Sequence, residues 1–403
     1  MFAIVVLVAA GMLAIQAGSV PAQALDWQQV AFAGINDAKY HTVDSMAVYN
    51  AGSGNRLYIG TGEGADPGGG CLVYGYDGSA WSAVSQKGFG DDNNRYATCM
   101  AVNDGKLYVG YGQCPRQCGC EVWSYDGGTW IQANPDGFGD SDNKTCTSMA
   151  VHGGKLYVGT YNLSGCQVWK FDGPGAANWV KAAEGGFSSD TENNYCSSMV
   201  VYDGNLYAGT RRNDSSSGCE VYRYGDTPLS WTRVNTDGFG TQYNYAAGSM
   251  AVLAGKLYAG TYNRNEGAQV LRYNSGTSWT RVSTAFGDPE DPEYEIRSMA
   301  VWQSKLYAGT ASEGISKAMV YSYDGSAWTL ESEPGFEGYP GAEDRDNRGV
   351  LSMAPYDPGT GARLFAGTHG EHFGFEVWGS GGGGIPGSHF YFAEGYTGAG
   401  FDE

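Results

Sequence analysis

A four-part phrase recurs about every fifty residues along this chain. A unit of that length buries its apolar side chains only by stacking on neighbouring copies of itself. The phrase is marked by Met46, Met100, Met149, Met199, Met250, Met299 and Met353, with spacings of 54, 49, 50, 51, 49 and 54 residues. Each methionine lies in a segment of the type Ser148-Met149-Ala150-Val151. Five to nine residues later comes a Leu-Tyr-Ala-Gly-Thr segment, opening at Leu57, Leu107, Leu156, Leu206, Leu257, Leu306 and Leu364. A third segment is fullest as Cys120-Glu121-Val122-Trp123-Ser124-Tyr125-Asp126-Gly127, and its counterparts begin at Cys71, Cys166, Cys219, Ala268, Ala318 and Phe375. The fourth opens on Trp81, Trp130, Trp179, Trp231, Trp279 or Trp328. Segments this short, split by glycine and rich in aromatic and β-branched residues, predict four strands per unit, and Asp-Gly pairs at Asp77, Asp126 and Asp324 predict tight hairpins before the Trp strand.

The seventh unit runs to Trp378 and then gives way to Gly379 and a glycine run, with no Trp strand of its own. The missing strand is found at the other end, where Trp27-Gln28-Gln29-Val30 reproduces the fourth phrase. Pairing it onto the last unit would close a ring and leave no exposed sheet edge. The expected fold is therefore all-β, a seven-bladed propeller of four-stranded antiparallel blades closed by the N-terminal strand. Over residues 27–378 the order of an apolar strand ending in Gly, a Val-Trp/Tyr-x-Tyr-Asp strand, a turn and a Trp strand is similar to the kelch-type propeller blade, and the turn before each Trp resembles the Asp-box of sialidases.

Residues 1–24 carry no charge, run apolar from Phe2 to Ile15 and reach Ala22-Gln23-Ala24, the pattern of a cleaved signal peptide. The expected location is thus secreted or at the cell surface, with no membrane span after cleavage. The propeller would occupy 25–378, a glycine-rich linker 379–388, and a tail 389–403 that resembles the opening of a further domain. A net charge of −19 argues against a nucleic-acid partner and against anionic membranes.

In such a blade the loops between second and third strands and the links between units share one face, and here these are the long and variable ones, which is where a rigid scaffold carries its ligand site. Two residues after the glycine of the second strand the chain reads Gly62, Gly112, Tyr161, Arg211, Tyr262, Ala311 and His369. Seven equivalent sugar sites would need seven like residues, so one composite site or a broad protein-facing surface is expected, with Tyr161, Arg211, Tyr262 and His369 as candidate ligand contacts. Several links also share Gly-Phe-Gly-Asp with an Asn two to four residues on. Asp91 with Asn94, and Asp140 with Asn143, could give oxygens to calcium, or could simply build the turns through their own backbone.

Nine cysteines in an exported chain point to disulfides. Pairing within a unit gives Cys99–Cys120, Cys146–Cys166 and Cys196–Cys219; pairing across units gives Cys71–Cys99, Cys120–Cys146 and Cys166–Cys196. The first scheme is the expected one, because three units carry both members. His369-Gly370-Glu371-His372 is the only local histidine cluster and lacks a helical metal-binding spacing. No phosphate loop, nucleophile elbow or isolated carboxylate pair stands out. The function expected is binding or adhesion to a glycan or an extracellular protein, ahead of a polysaccharide-active hydrolase or lyase.

Overall fold

The structure is a computed structural model, and it describes residues 25–63, 70–112, 119–173, 175, 178–187, 190–213, 217–283, 286–288, 291–312, 317–336, 347–370 and 374–381. The signal-like segment 1–24, Cys114 and Cys118, Glu371 and His372, and the tail 389–403 lie outside the described residues. No helix among the described residues is long and apolar enough to cross a membrane.

Each sequence unit folds into antiparallel strands paired in chain order. In repeat 2, Tyr96–Asn103 pairs with Lys106–Gly112, that strand with Val122–Tyr125, and that one with Trp130–Gln132. Repeats 1 to 6 follow the same scheme, and the described strands form one 28-stranded sheet and a two-stranded ribbon, Gly287–Asp288 with Asp291–Pro292. The first and second strands of all the repeats make a closed, barrel-like circuit, with the third and fourth strands attached outside. Neighbouring repeats join at single residues, Gly62 with Tyr96, Gly112 with Thr145, Tyr161 with Tyr195, Arg211 with Ala246, Tyr262 with Glu295 and Ala311 with Gly349. His369 with Thr42 closes the circuit from repeat 7 to repeat 1.

Second strands read as unbroken apolar runs because they are covered on both sides; Leu57, Tyr58 and Ile59 are at most 1% exposed. The core accordingly consists of seven layers, each drawn from two adjacent repeats. The glycine of each second strand is needed for that approach. A Cβ on Gly159 would sit 2.6 Å from the Cβ of Cys196 in the next repeat and 2.7 Å from the Ser148 hydroxyl.

Two circles of hydrogen bonds run around the molecule. On the inner one, the serine before each methionine donates to a carbonyl of the next repeat's first strand: Ser45 to Ala97, Ser148 to Cys196, Ser198 to Ala247, Ser249 to Ile296, Ser298 to Val350 and Ser352 to Val43, all at 2.6 to 2.7 Å. In repeat 2 Cys99 replaces that serine, and Thr98 makes the bond to the Cys146 carbonyl instead. On the outer one, the indole N–H of each fourth-strand tryptophan donates to the preceding repeat: Trp81 to Val30, Trp130 to Val84, Trp179 to Ala133, Trp231 to Ala182, Trp279 to Val234 and Trp328 to Val282. Trp27 supplies the seventh bond, to the carbonyl of Glu331 at 2.7 Å. The strand Trp27–Ala31 pairs antiparallel with Val377–Ser380, so the N-terminal strand completes the last repeat as the sequence predicts.

Candidate functional site at the mouth of the ring

The seven joining positions form a collar at the end of the ring where second strands finish and first strands begin. Tyr161, Arg211, Tyr262 and His369 all belong to this collar. Three of the four are brought together. The Tyr161 and Tyr195 rings stack at 4.1 Å, 14° from parallel. The Arg211 guanidinium lies 5.6 Å from the centre of the Tyr195 ring and 4.9 Å from that of Tyr262, and Arg264 lies 5.5 Å from Tyr262. An arc of aromatic rings and cations thus spans repeats 3 to 5. His369 stands apart from it, in register with Thr42 at the seam between repeats 7 and 1.

The first strands bring further residues that the second-strand alignment did not single out. Arg297 lies 3.4 Å from Glu295, and its guanidinium is held more strongly protonated by Glu295 and, less, by Asp44. Asp44 belongs to repeat 1 and Arg297 to repeat 6, so this interaction crosses the interior of the ring. Removal from water raises the Asp44 carboxyl to about 6, against the opposing hydrogen bond from Thr42 at 2.5 Å and the charge of Arg297. Burial likewise raises the Tyr195 and Tyr96 phenols; Tyr161 adds to the effect at Tyr195, as Asp44 does at Tyr96. The missed residues follow a rule in the sequence. Four before each marker methionine stand Thr42, Tyr96, Thr145, Tyr195, Ala246, Glu295 and Gly349, and two before it stand Asp44, Thr98, Thr147, Ser197, Gly248, Arg297 and Leu351. Reading those columns for scatter, as was done for the second strand, would have found Asp44, Tyr195, Glu295 and Arg297.

Asp91, Asn94, Asp140 and Asn143 sit in the links between repeats and are occupied with hydrogen bonds. Asp91 Oδ1 accepts from the Asn93 backbone and side-chain amides, and Asn94 Nδ2 donates to the Gly88 carbonyl and to Glu121. Asp140 accepts from Asp142, Asn162 and Gln167, while Asn143 donates to Gly137 and Gln167 and accepts from Thr160 and Asn162. These bonds are of the turn-building kind, and among the described residues no group of three or more His, Cys, Asp and Glu gathers around a common point. The phenylalanine of the same phrase is a wedge. Phe89 and Phe138 adopt φ near +60°, and Phe89 stacks on Trp123 at 4.5 Å while meeting Trp130 edge-on at 4.9 Å.

The cysteines sit at the boundaries between repeats. The seven described ones are free, buried thiols. Cys99 and Cys120 lie in one layer, whereas Cys146 and Cys166 fall in different layers, as do Cys196 and Cys219. Cys120 shares a layer with Cys146, and Cys166 with Cys196; Cys99 joins the former layer, in the place that serine takes elsewhere. Cys71 faces Ala97 in its layer.

An open groove of about 670 Å³ lies at the opposite face between repeats 2 and 3, with Lys106, Lys155, Gln132 and Phe171 in its wall. Asp104 and Tyr108 line it as well, and Tyr108 and Phe171 lie 6.0 Å apart.

No protein family matches the sequence, and no curated protein does either. Solved structures do match in three dimensions. An ulvan lyase from a new family of polysaccharide lyase, bound to -[GlcA(1-4)Rha3S]-, is 12% identical with a TM-score of 0.54, over 87% of this chain and 95% of that one. The WD40 repeats of RRP9 are 11% identical with a TM-score of 0.54, over 89% and 99%. A putative 6-phosphogluconolactonase from Bacteroides uniformis is 11% identical with a TM-score of 0.51, over 77% and 88%. At such identities the likeness is one of fold alone, and the fold is all-β and propeller-like, built from repeated strand units.

Proposed function

We propose that this chain is a seven-bladed propeller of four-stranded, kelch-like blades. It acts outside the cell or on its surface after loss of residues 1–24, and it binds a glycan at the mouth of the ring. The observation that carries the reading is the arc of Tyr161, Tyr195, Arg211 and Tyr262, half-buried or buried and held by stacking and cation–π contacts on four strands of a rigid scaffold. Aromatic faces with a few directed polar groups are what a saccharide site needs, and the arc lies on the face of long variable loops. The unlike residues around the collar favour one composite site over repeated ones.

A polysaccharide-active enzyme is the second reading. It draws on Asp44, whose carboxyl is raised to about 6 inside the ring and which feels the Arg297–Glu295 pair. A glycan array probed with the mature protein, with and without calcium, tests both. Binding to defined glycans, weakened about 10-fold or more by Tyr161→Ala or Tyr195→Ala while the melting temperature stays near wild type, is the expected result. No glycan captured, or capture untouched by both substitutions, overturns the binding reading. Release of reducing or unsaturated ends from a bound polysaccharide, lost in Asp44→Asn, would establish the enzyme.

A further inference from the structure

Several arginines in this molecule are committed to acceptors. Arg212 is buried and bonds Asp190 at 2.7 Å, Arg233 bonds both Glu220 and Asp237 at 2.6 Å, and Arg363 donates to the carbonyls of Ser380 and Gly379. Arg211 is different. Among the described residues no carboxylate comes within ion-pair distance of it and no acceptor takes its N–H groups, although the chain carries 43 acidic residues against 24 basic ones. Its neighbours are the rings of Tyr195 and Tyr262. Aromatic faces hold a guanidinium in place and shed water from its plane, but they leave its edge, a fork of N–H donors, without an acceptor. That fork matches the two oxygens of a carboxylate or sulfate. Arg264 lies against the same Tyr262 ring, while Arg297 nearby is paired with Glu295.

We propose that Arg211 is an anion-recognition residue, and that the ligand at the mouth is an acidic saccharide whose carboxylate or sulfate meets the Arg211 fork while a sugar ring lies against the Tyr161–Tyr195 stack. This rests on the glycan-binding reading and narrows it to a ligand class. Arg211 also explains how a chain of net charge −19 can take a polyanion. Long-range repulsion is screened over about 8 Å at physiological salt, whereas a desolvated guanidinium acts at contact.

The test is calorimetric titration of the mature protein with three oligosaccharides of equal length: one containing uronic acid, one neutral but sulfated, and one neutral and unsulfated. At least one acidic oligosaccharide should bind about 10- to 100-fold more tightly than the neutral one, the range expected for a charged hydrogen-bonded contact. Arg211→Gln should remove that preference while leaving the melting temperature unchanged, and Arg223→Gln on the outer surface should not affect binding. The carboxylate and sulfate arms identify which anion is taken. Equal binding of acidic and neutral oligosaccharides overturns this inference and leaves the glycan-binding reading standing. Acidic preference that survives Arg211→Gln overturns the assignment to Arg211. Failure of all three to bind sinks the glycan-binding reading itself.

Discussion

Asp44 and Asp77 show how far one residue type is moved by its position in the repeat. Asp77, fully exposed in a hairpin turn, accepts the Ala80 backbone N–H and the Ser79 hydroxyl and backbone N–H, and its carboxyl is lowered to about 2. Asp44, inside the ring, is raised to about 6 because loss of water outweighs the Thr42 hydrogen bond and the Arg297 charge. In the unfolded chain an aspartate titrates near the usual 3.8. Between about pH 4 and pH 6, therefore, the folded protein holds a proton that the unfolded chain has released, and the Asp44 contribution to stability falls as pH rises through that window. Above it the cost of burying the carboxylate is present in full. Asp44 keeps part of its surface in water, so Asp44→Asn should stabilise the protein by about 1 kcal/mol at pH 7.5 and leave it little changed at pH 3.5. Chemical denaturation of both proteins from pH 3.5 to 8 measures the gap, and a gap that stays constant with pH would show that Asp44 titrates normally.

At the scale of the strand, the cysteines mark where neighbouring repeats meet. The third strand of one repeat and the first strand of the next bring Ala268 and Ile296, Ala318 and Val350, and Phe375 and Val43 into shared layers. Cys120 with Cys146 and Cys166 with Cys196 occupy the same paired positions. Folding under oxidising conditions should therefore close Cys120–Cys146 and Cys166–Cys196 as links between repeats, each joining two thiols with loss of two protons and two electrons to an oxidant such as glutathione disulfide. Burial pushes the Cys196 thiol up to about 12 and the Cys146 thiol well above its ordinary value, so both are poor nucleophiles once the layers have formed. The bonds should form during folding and hardly at all when oxidant is added to the folded, reduced protein. Each would stabilise the ring by about 3 kcal/mol. Peptide mapping without reduction reads the linkage, and Cys146–Cys166 or Cys196–Cys219 peptides would refute the inter-repeat scheme. The sequence was readable here only in part. The four phrases, their order and the displaced Trp strand could be followed because each repeats. Which cysteine faces which could not, since packing of a third strand on the next repeat is a property of the assembled ring that no spacing records. For the same reason the Gly-Phe-Gly-Asp links resembled cation loops, while their burial around a phenylalanine wedge became visible only with the neighbouring tryptophans in place.

At the scale of the whole molecule, the ring is as sound as its seam. Each internal boundary between repeats is continuous in the chain, but the last repeat is finished by a strand from the other end, and Trp27–Ala31 supplies three things there. It covers the edge of Val377–Ser380, donates the Trp27 indole bond to Glu331, and packs Trp27 edge-on against Phe336 at 5.2 Å. The same indole bond and wedge contact recur where Trp130 meets Val84 and Phe89, so Trp27→Ala and Trp130→Ala should each destabilise by about 3 to 4 kcal/mol, as expected for truncating a packed tryptophan. Deleting residues 25–37 should do more. It leaves the strand Val377–Ser380 as an open edge and removes the Trp27–Glu331 and Trp81–Val30 bonds that tie repeat 7 to repeats 6 and 1, weakening the closure on which a ring, unlike an open array, depends. The expected result is a midpoint lower than that of either tryptophan variant, with aggregation through the exposed edge. A synthetic peptide of residues 25–37 added in trans should restore part of the lost stability in proportion to its concentration, as a ligand that binds only the folded state must. A truncated protein that melts at the wild-type midpoint and ignores the peptide would mean that the N-terminal strand decorates the ring without closing it.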